Sequence, residues 1–314
     1  MFSSPSPGPT NLPRATPVRI KFWGVRGSIP TPGPTTLQYG GNTSCIEVRA
    51  GGQIVILDAG TGLRLLGRQL QAEFGEQPLN LTLLLTHTHW DHIQGLPFFL
   101  PVYQPNNQLR ILGYEGARLG LETVLSSQME SPFFPIGLKE VPANIKIEEL
   151  KEWEFELGGV RAQACYACHP GVCVGYRLDV AGRSIAFFPD NELRDDSHLS
   201  PQGSTRGRQV CPCRNGERKL ADFVQGVDVL VMDSQYDAEE YEKHVGWGHG
   251  CVDKVVELAI EARARHLYLF HHDPNHDDAK ITEMLAHARK LAAAKSTTLQ
   301  VEAAREGLTL ELPV

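Results

Sequence analysis

The stretch LNLTLLLTHTHWDH, residues 79–92, decides how the rest of the chain is read. Its first half, residues 79–85, is an almost unbroken apolar run with the length of a buried strand. Its second half places His87, His89, Asp91 and His92 within six residues, directly past the end of that strand. Three imidazoles and one carboxylate suit zinc or a similar first-row metal. The spacing is too tight for all four groups to serve one ion comfortably. A turn can send His87 and His89 to one metal and let Asp91 and His92 reach a second. Two ions held about 3.5–4 Å apart can share a hydroxide and clamp both oxygens of a displacement. A surface loop rich in histidine by chance is the plainer reading, and it accounts less well for four donors set against a strand end.

A site for two metals needs more ligands than one loop supplies. Three further candidates each lie just beyond an expected strand: His169 after 162–166, Asp190 after 184–189 and His271 after 266–270. Strand ends on one rim of a layered fold are where such groups converge. Taken singly, each has an ordinary explanation as a loop histidine, a turn carboxylate or a rim residue.

Outward from this segment the pattern stays regular. Residues 18–23 alternate and read as a strand, and 44–49 with 54–57 read as a hairpin around Gly51-Gly52. Leu63, Leu66 and Leu70 lie at helical spacing over 62–74. Further strands are expected at 109–113, 145–149, 160–165, 173–179, 184–188, 227–232 and 266–270, and helices at 251–265 and 279–293. Strands first, then strands mixed with helices, predict an α/β fold of two packed sheets with helices outside, a four-layer αββα sandwich. The expected organisation is a disordered tail at 1–17 and a single domain over 18–314 with an irregular insert near 192–226. No internal repeat is visible in the sequence.

Bulk properties exclude some partners. The 314 residues carry a formal net charge of −7 and no long Lys/Arg run, which disfavours a grip on long nucleic acid. Neither a secretory signal nor an apolar run of membrane-spanning length is visible, so a cytoplasmic setting with reduced thiols is expected for the seven cysteines. A homodimer is left open.

The string His-Thr-His-Trp-Asp-His at 87–92 resembles the signature of the metallo-β-lactamase superfamily. The order of the later candidates is similar to that of its phosphodiesterase branch, which includes ribonuclease Z and the phosphoribosyl cyclic phosphodiesterases. FWGVRGSIP at 22–30, YGGNTSC at 39–45 and LDAGTG at 57–62 look like the opening strands of that branch. The resemblance implies His87, His89 and His169 on one metal, Asp91, His92 and His271 on the other, and Asp190 between them. It implies two divalent ions, zinc first and manganese or iron as alternatives. Of the adjacent pair His271 and His272, the first comes directly after the strand and is preferred. The resemblance also pairs Asp233 with His249, the acid holding an imidazole that protonates the leaving oxygen. His249, Asp233 and Asp91 are the expected catalytic residues. Gly250 and Cys251 stand where similar sequences often have small hydroxyl residues.

Asp58 follows a strand and either accepts a bond from a ligating imidazole or caps the next helix. Asn42 reads as turn chemistry. Cys165-Tyr-Ala-Cys168-His169 matches a haem attachment pattern, a reading that needs export. Cys211-Pro-Cys213 reads as loop thiols, and the acidic string at 273–278 as a solvated turn and helix start. The expected activity is hydrolysis of a small phosphodiester such as a cyclic nucleotide or cyclic ribose phosphate. RNA 3′-end processing, or lactone or thioester hydrolysis on the same metals, is the alternative. A non-catalytic metal-binding regulator stands last.

Overall fold

A computed structural model describes residues 16–114, 120–194, 216–295 and 298–314. Most of the tail expected at 1–17, and Cys211-Pro-Cys213, lie outside the described residues. Two seven-stranded sheets form the frame. The first contains β1 (Val18–Gly24), β2 (Cys45–Ala50), β3 (Gln53–Leu57), β4 (Asn80–Leu84), β5 (Gln108–Gly113) and β6 (Asn144–Glu149). The second contains β7 (Glu154–Leu157), β8 (Val160–Tyr166), β9 (Val174–Val180), β10 (Arg183–Phe188), β11 (Val229–Asp233), β12 (His266–Phe270) and β13 (Gln300–Ala303). The last strand, β14 (Thr309–Leu312), returns to the first sheet beside β1. The helices are α1 (Gly62–Phe74), α2 (Trp90–Ile93), α3 (Leu121–Ser127), α4 (Gly216–Phe223), α5 (Ala238–His244), α6 (Val252–Glu261) and α7 (Asp278–Ala294).

In each sheet an antiparallel meander leads into parallel strands. β1 to β3 run antiparallel and β3 to β6 parallel, while β7 to β10 run antiparallel and β10 to β13 parallel. Parallel neighbours require crossovers, and here every crossover carries helix. The connectivity therefore repeats across the two halves even though no sequence repeat is visible.

Period-two alternation fills the layers. Ile185, Phe187, Val229, Val231, Tyr268 and Phe270 point inward to meet Phe22, Val48, Leu57 and Leu84 of the first sheet. Their neighbours Ala186, Phe188, Leu230, Met232, Leu267 and Leu269 point outward under α4, α6 and α7. On the other side, Leu63, Leu66 and Leu70 of α1 cover Ile56, Leu81 and Leu83. This is the expected αββα sandwich.

The differences from the sequence reading are local. β7, β13 and β14 are four-residue strands with exposed positions, too short to announce themselves. The stretch expected to be irregular at 192–226 ends in α4, where Leu220 and Ala221 join the outer core with Val224. Among the described residues no helix is long and apolar enough to cross a membrane. Parallel strands in one sheet end on the same edge, so the segments after β3, β4, β10, β11 and β12 are brought to one rim.

Candidate metal centre

The segment after β4 is extended through His89 (φ −64°, ψ 152°) and then turns into α2. The extended part points His87 and His89 to one side, and the helical turn brings Asp91 and His92 round to the same cleft. Two groups result. His87, His89 and His169 have donor atoms within 4.8 Å of one another, and so do Asp91, His92, Asp190 and His271.

Asp190 faces both groups, one oxygen to each. Its Oδ2 lies 3.8 Å from His87 Nε2 and 3.6 Å from His169 Nε2. Its Oδ1 lies 3.0 Å from His92 Nε2 and 3.3 Å from His271 Nε2. Asp91 Oδ2 completes the second group, 3.1 Å from His92 Nε2 and 3.2 Å from His271 Nε2. His89 Nδ1 completes the first, 3.0 Å from His169 Nε2.

The ring nitrogens turned away from the cleft are held by protein groups. His92 Nδ1 donates to Asp58 Oδ2 at 2.7 Å, and Asp58 also accepts from Thr86 and Ser44. Asp58 thus supports an imidazole rather than capping α1, which has no side-chain cap bond. His169 Nδ1 donates to Gly248 O at 3.0 Å, and His271 Nδ1 to Gln235 Oε1 at 2.9 Å. His272 turns the other way and donates from Nε2 to Ala304 O at 2.9 Å. Of the adjacent pair, only His271 enters the cluster. Gly27 is required beside it, since a Cβ there would stand 2.3 Å from the His271 ring.

His249 lies on the loop just before α6, two residues ahead of the N-cap Cys251. Its Nδ1 donates to Asp233 Oδ2 at 2.9 Å, and its ring stacks on His271 at 4.9 Å. The oxygens of Asp233 also accept from Asn191 N and Gln235 N. A cavity of about 550 Å³ opens over the cluster, lined by Ser28, Thr88 and Trp90 together with the histidines and acids.

The titrations divide the cluster. Burial, reinforced by the neighbouring imidazoles, holds His87 well below the ordinary imidazole range; burial also lowers His89 and takes His169 down to about 4. At His92 burial opposes the charge, but Asp91, Asp190 and Asp58 outweigh it and the group titrates well above its ordinary value. His271 is likewise opposed by burial and is raised to about 9 by Asp190 and the bond to Asp91. Asp91 and Asp190 are pushed up by burial but held far below the carboxylate range by the imidazoles around them. Burial takes His272 down to about 3.

This arrangement fits metal ions by a direct test. His87 Nε2 is buried, aimed into the cleft and without a hydrogen-bond partner, while His92 Nε2, His271 Nε2 and the oxygens of Asp91 and Asp190 crowd together at 3.0–3.3 Å. Such groups are costly to leave unmet, about 1–3 kcal/mol each, and a cation accepts their lone pairs. Residues outside the sequence reading also contribute. Gln235 orients His271, and Thr86 accepts from His87 Nδ1 at 3.1 Å. Glu192 accepts from Gly246 N and Gly248 N on the loop that carries His249. A buried acid at the start of an apparent insert gave no local signal. His169 is committed to the cluster, which removes the haem-attachment reading. The string at 273–278 is turn and helix start: Asp277 caps α7 and Asp278 receives Gln38 N and Tyr39 N.

Comparison with known proteins agrees with this architecture. A family model described as the β-lactamase superfamily domain matches residues 53–203. A ribonuclease Z of Haloarcula marismortui is 25% identical over 286 residues, covering 81% of this chain and 86% of that protein. Among solved structures, the metallo-β-lactamase fold protein YhfI of Bacillus subtilis superposes with a TM-score of 0.64 at 16% identity, over 94% of this chain and 99% of that one. A diphosphatase of the PhnP family superposes with a TM-score of 0.61 at 19% identity, over 94% of this chain and 97% of that one.

Proposed function

From the premise that this chain belongs to the metallo-β-lactamase superfamily, on its ribonuclease Z-like branch, we propose that it is a metal-dependent phosphodiesterase acting on a small phosphodiester, such as a cyclic nucleotide or a cyclic ribose phosphate. The observation that carries the reading is the divided Asp190 carboxylate, one oxygen toward His87 and His169 and the other toward His92 and His271. In this reading His87, His89 and His169 would hold one divalent ion and Asp91, His92 and His271 a second, with Asp190 within reach of both. Imidazole and carboxylate donors suit zinc first, with manganese or iron as alternatives. When bound, such a pair supplies a Lewis-acid clamp on the phosphate and a nucleophile at neutral pH.

The chain's own residues do the rest. Asp233 accepts a hydrogen bond from His249 Nδ1–H and so leaves Nε2 of that ring free to carry a proton toward a departing alkoxide. Asp233 also stabilises the imidazolium that delivers it. Asp91 Oδ2 faces His271 Nε2 at the point where both would hold the second ion, and Gln235 orients that ring from its Nδ1 side. The cavity is lined by no Lys or Arg among the described residues, which leaves phosphate charge to be met at the metal cluster. That lining and the net charge of −7 favour a small substrate over a long RNA. A cytoplasmic setting belongs to the same reading.

The ribonuclease Z relatives favour RNA 3′-end processing as the second reading. Metal-reconstituted protein incubated with cyclic nucleotides, a cyclic ribose phosphate, a precursor tRNA, a lactone and a thioester separates the cases. Turnover of a small diester is expected. Cleavage of the precursor alone would move the assignment to RNA, and turnover confined to the lactone or thioester would remove it from phosphodiesters altogether.

A further inference from the structure

Trp90 sits between two residues of the cluster, His89 and Asp91, and opens the α2 turn. Its carbonyl accepts from Gln94 N at 2.8 Å, so its backbone is tied to the turn that places Asp91 and His92. Its side chain is nonetheless 80% exposed, and it forms part of the wall of the 550 Å³ cavity. The other tryptophans have occupied faces or edges. Trp23 is buried beneath Lys21 and donates to Glu47, Trp153 stacks on Tyr114, and Trp247 packs against His244. Trp90 alone has no ring or cation laid against it among the described residues. An indole open at the mouth of a reactive cleft offers an uncovered π-face to a flat ligand.

The cavity lining adds an independent constraint. With no Lys or Arg in it among the described residues, the charge of a phosphate ester is left to the metal cluster and its imidazoles. Recognition beyond the cluster then falls to Ser28, Thr88 and the indole. The two hydroxyl residues suit sugar oxygens, and an indole face suits a π-system.

We infer that Trp90 is a stacking platform for a nucleobase, so that the substrate class is a nucleotide phosphodiester and not a base-free cyclic ribose phosphate. This rests on the phosphodiesterase reading of the same site. One base on one aromatic ring contributes on the order of a tenfold change in affinity.

The test uses the metal-reconstituted full chain with adenosine 5′-monophosphate and ribose 5-phosphate, two ligands that differ only by the base. Binding is followed by calorimetry and by tryptophan fluorescence in the unaltered protein, Trp90→Phe and Trp90→Ala. The nucleotide is expected to bind roughly tenfold more tightly than the sugar phosphate, with the gap closing in Trp90→Ala and largely kept in Trp90→Phe. Equal affinities in the unaltered protein, a gap that persists in Trp90→Ala, or no binding of either ligand would overturn the inference. Hydrolysis of adenosine 2′,3′-cyclic phosphate and of a base-free cyclic ribose phosphate is measured alongside. Turnover of neither sinks the phosphodiesterase reading, while equal turnover of both with equal binding sinks only the stacking platform.

Discussion

Asp190 carries two oxygens on one carbon, and they divide between two sets of imidazoles, which is the arrangement the proposed pair of ions would need. His271 and His272 show how sharply position decides role: one faces Asp91, the other the backbone of Ala304. His271→Asn should lower bound metal by about one ion per chain in elemental analysis, whereas His272→Asn should keep both. Loss of metal in the second variant alone would reverse the assignment. His249→Ala should slow hydrolysis of alkyl diesters by about 10²–10⁴-fold. The same change should matter far less for a p-nitrophenolate leaving group, which departs without a proton. Equal losses on the two substrates would remove His249 as the acid. Protonation also has a sign here. In EDTA-treated protein the charged pairing of His271 with Asp190 and Asp91 stabilises the fold fully below the imidazole's ordinary value and fades as pH rises through about 9. At pH 7 that proton is still bound, so metal loading must expel it. Titrations in buffers of different ionisation enthalpy should therefore report net proton release, and a buffer-independent heat would contradict this.

At the scale of elements, the loop from Val245 to Cys251 joins α5 to α6 and carries both Gly248, whose carbonyl holds His169, and His249. Gly248 needs its positive φ of 91°, and a Cβ there would stand 2.6 Å from His169 Nδ1. The buried carboxylate of Glu192 fastens this loop through two backbone N–H groups and the Tyr241 hydroxyl. Glu192→Gln should cost about 1–3 kcal/mol in denaturant unfolding. It should also lower kcat on alkyl diesters while bound metal stays unchanged, because the displaced residue, His249, is proposed as the proton donor and not as a ligand. A variant with full stability and full kcat would show that the clamp is idle.

Across the whole molecule, the cluster joins the two repeated halves. Residues 87–92 follow a strand of the first sheet, and His169, Asp190 and His271 follow strands of the second. Ions bound there would tie one sheet to the other, so EDTA should lower the melting temperature by several degrees and zinc should restore it. No shift on chelation would mean that the cluster holds no metal in the folded protein. The sandwich and the donor string were legible in residue order because alternation, helical spacing and strand length are local properties. His87, His89, Asp91 and His92 are neighbours along the chain, so their chemistry could be read directly. Tertiary structure alone decided which oxygen of Asp190 faces which imidazole, that Asp58 serves His92 instead of capping α1, that β14 closes on β1, and that Glu192 holds a loop more than fifty residues ahead of it. Each of these depends on distances between segments far apart in sequence, set by how the two sheets pack, and no local pattern of residue types encodes such a distance.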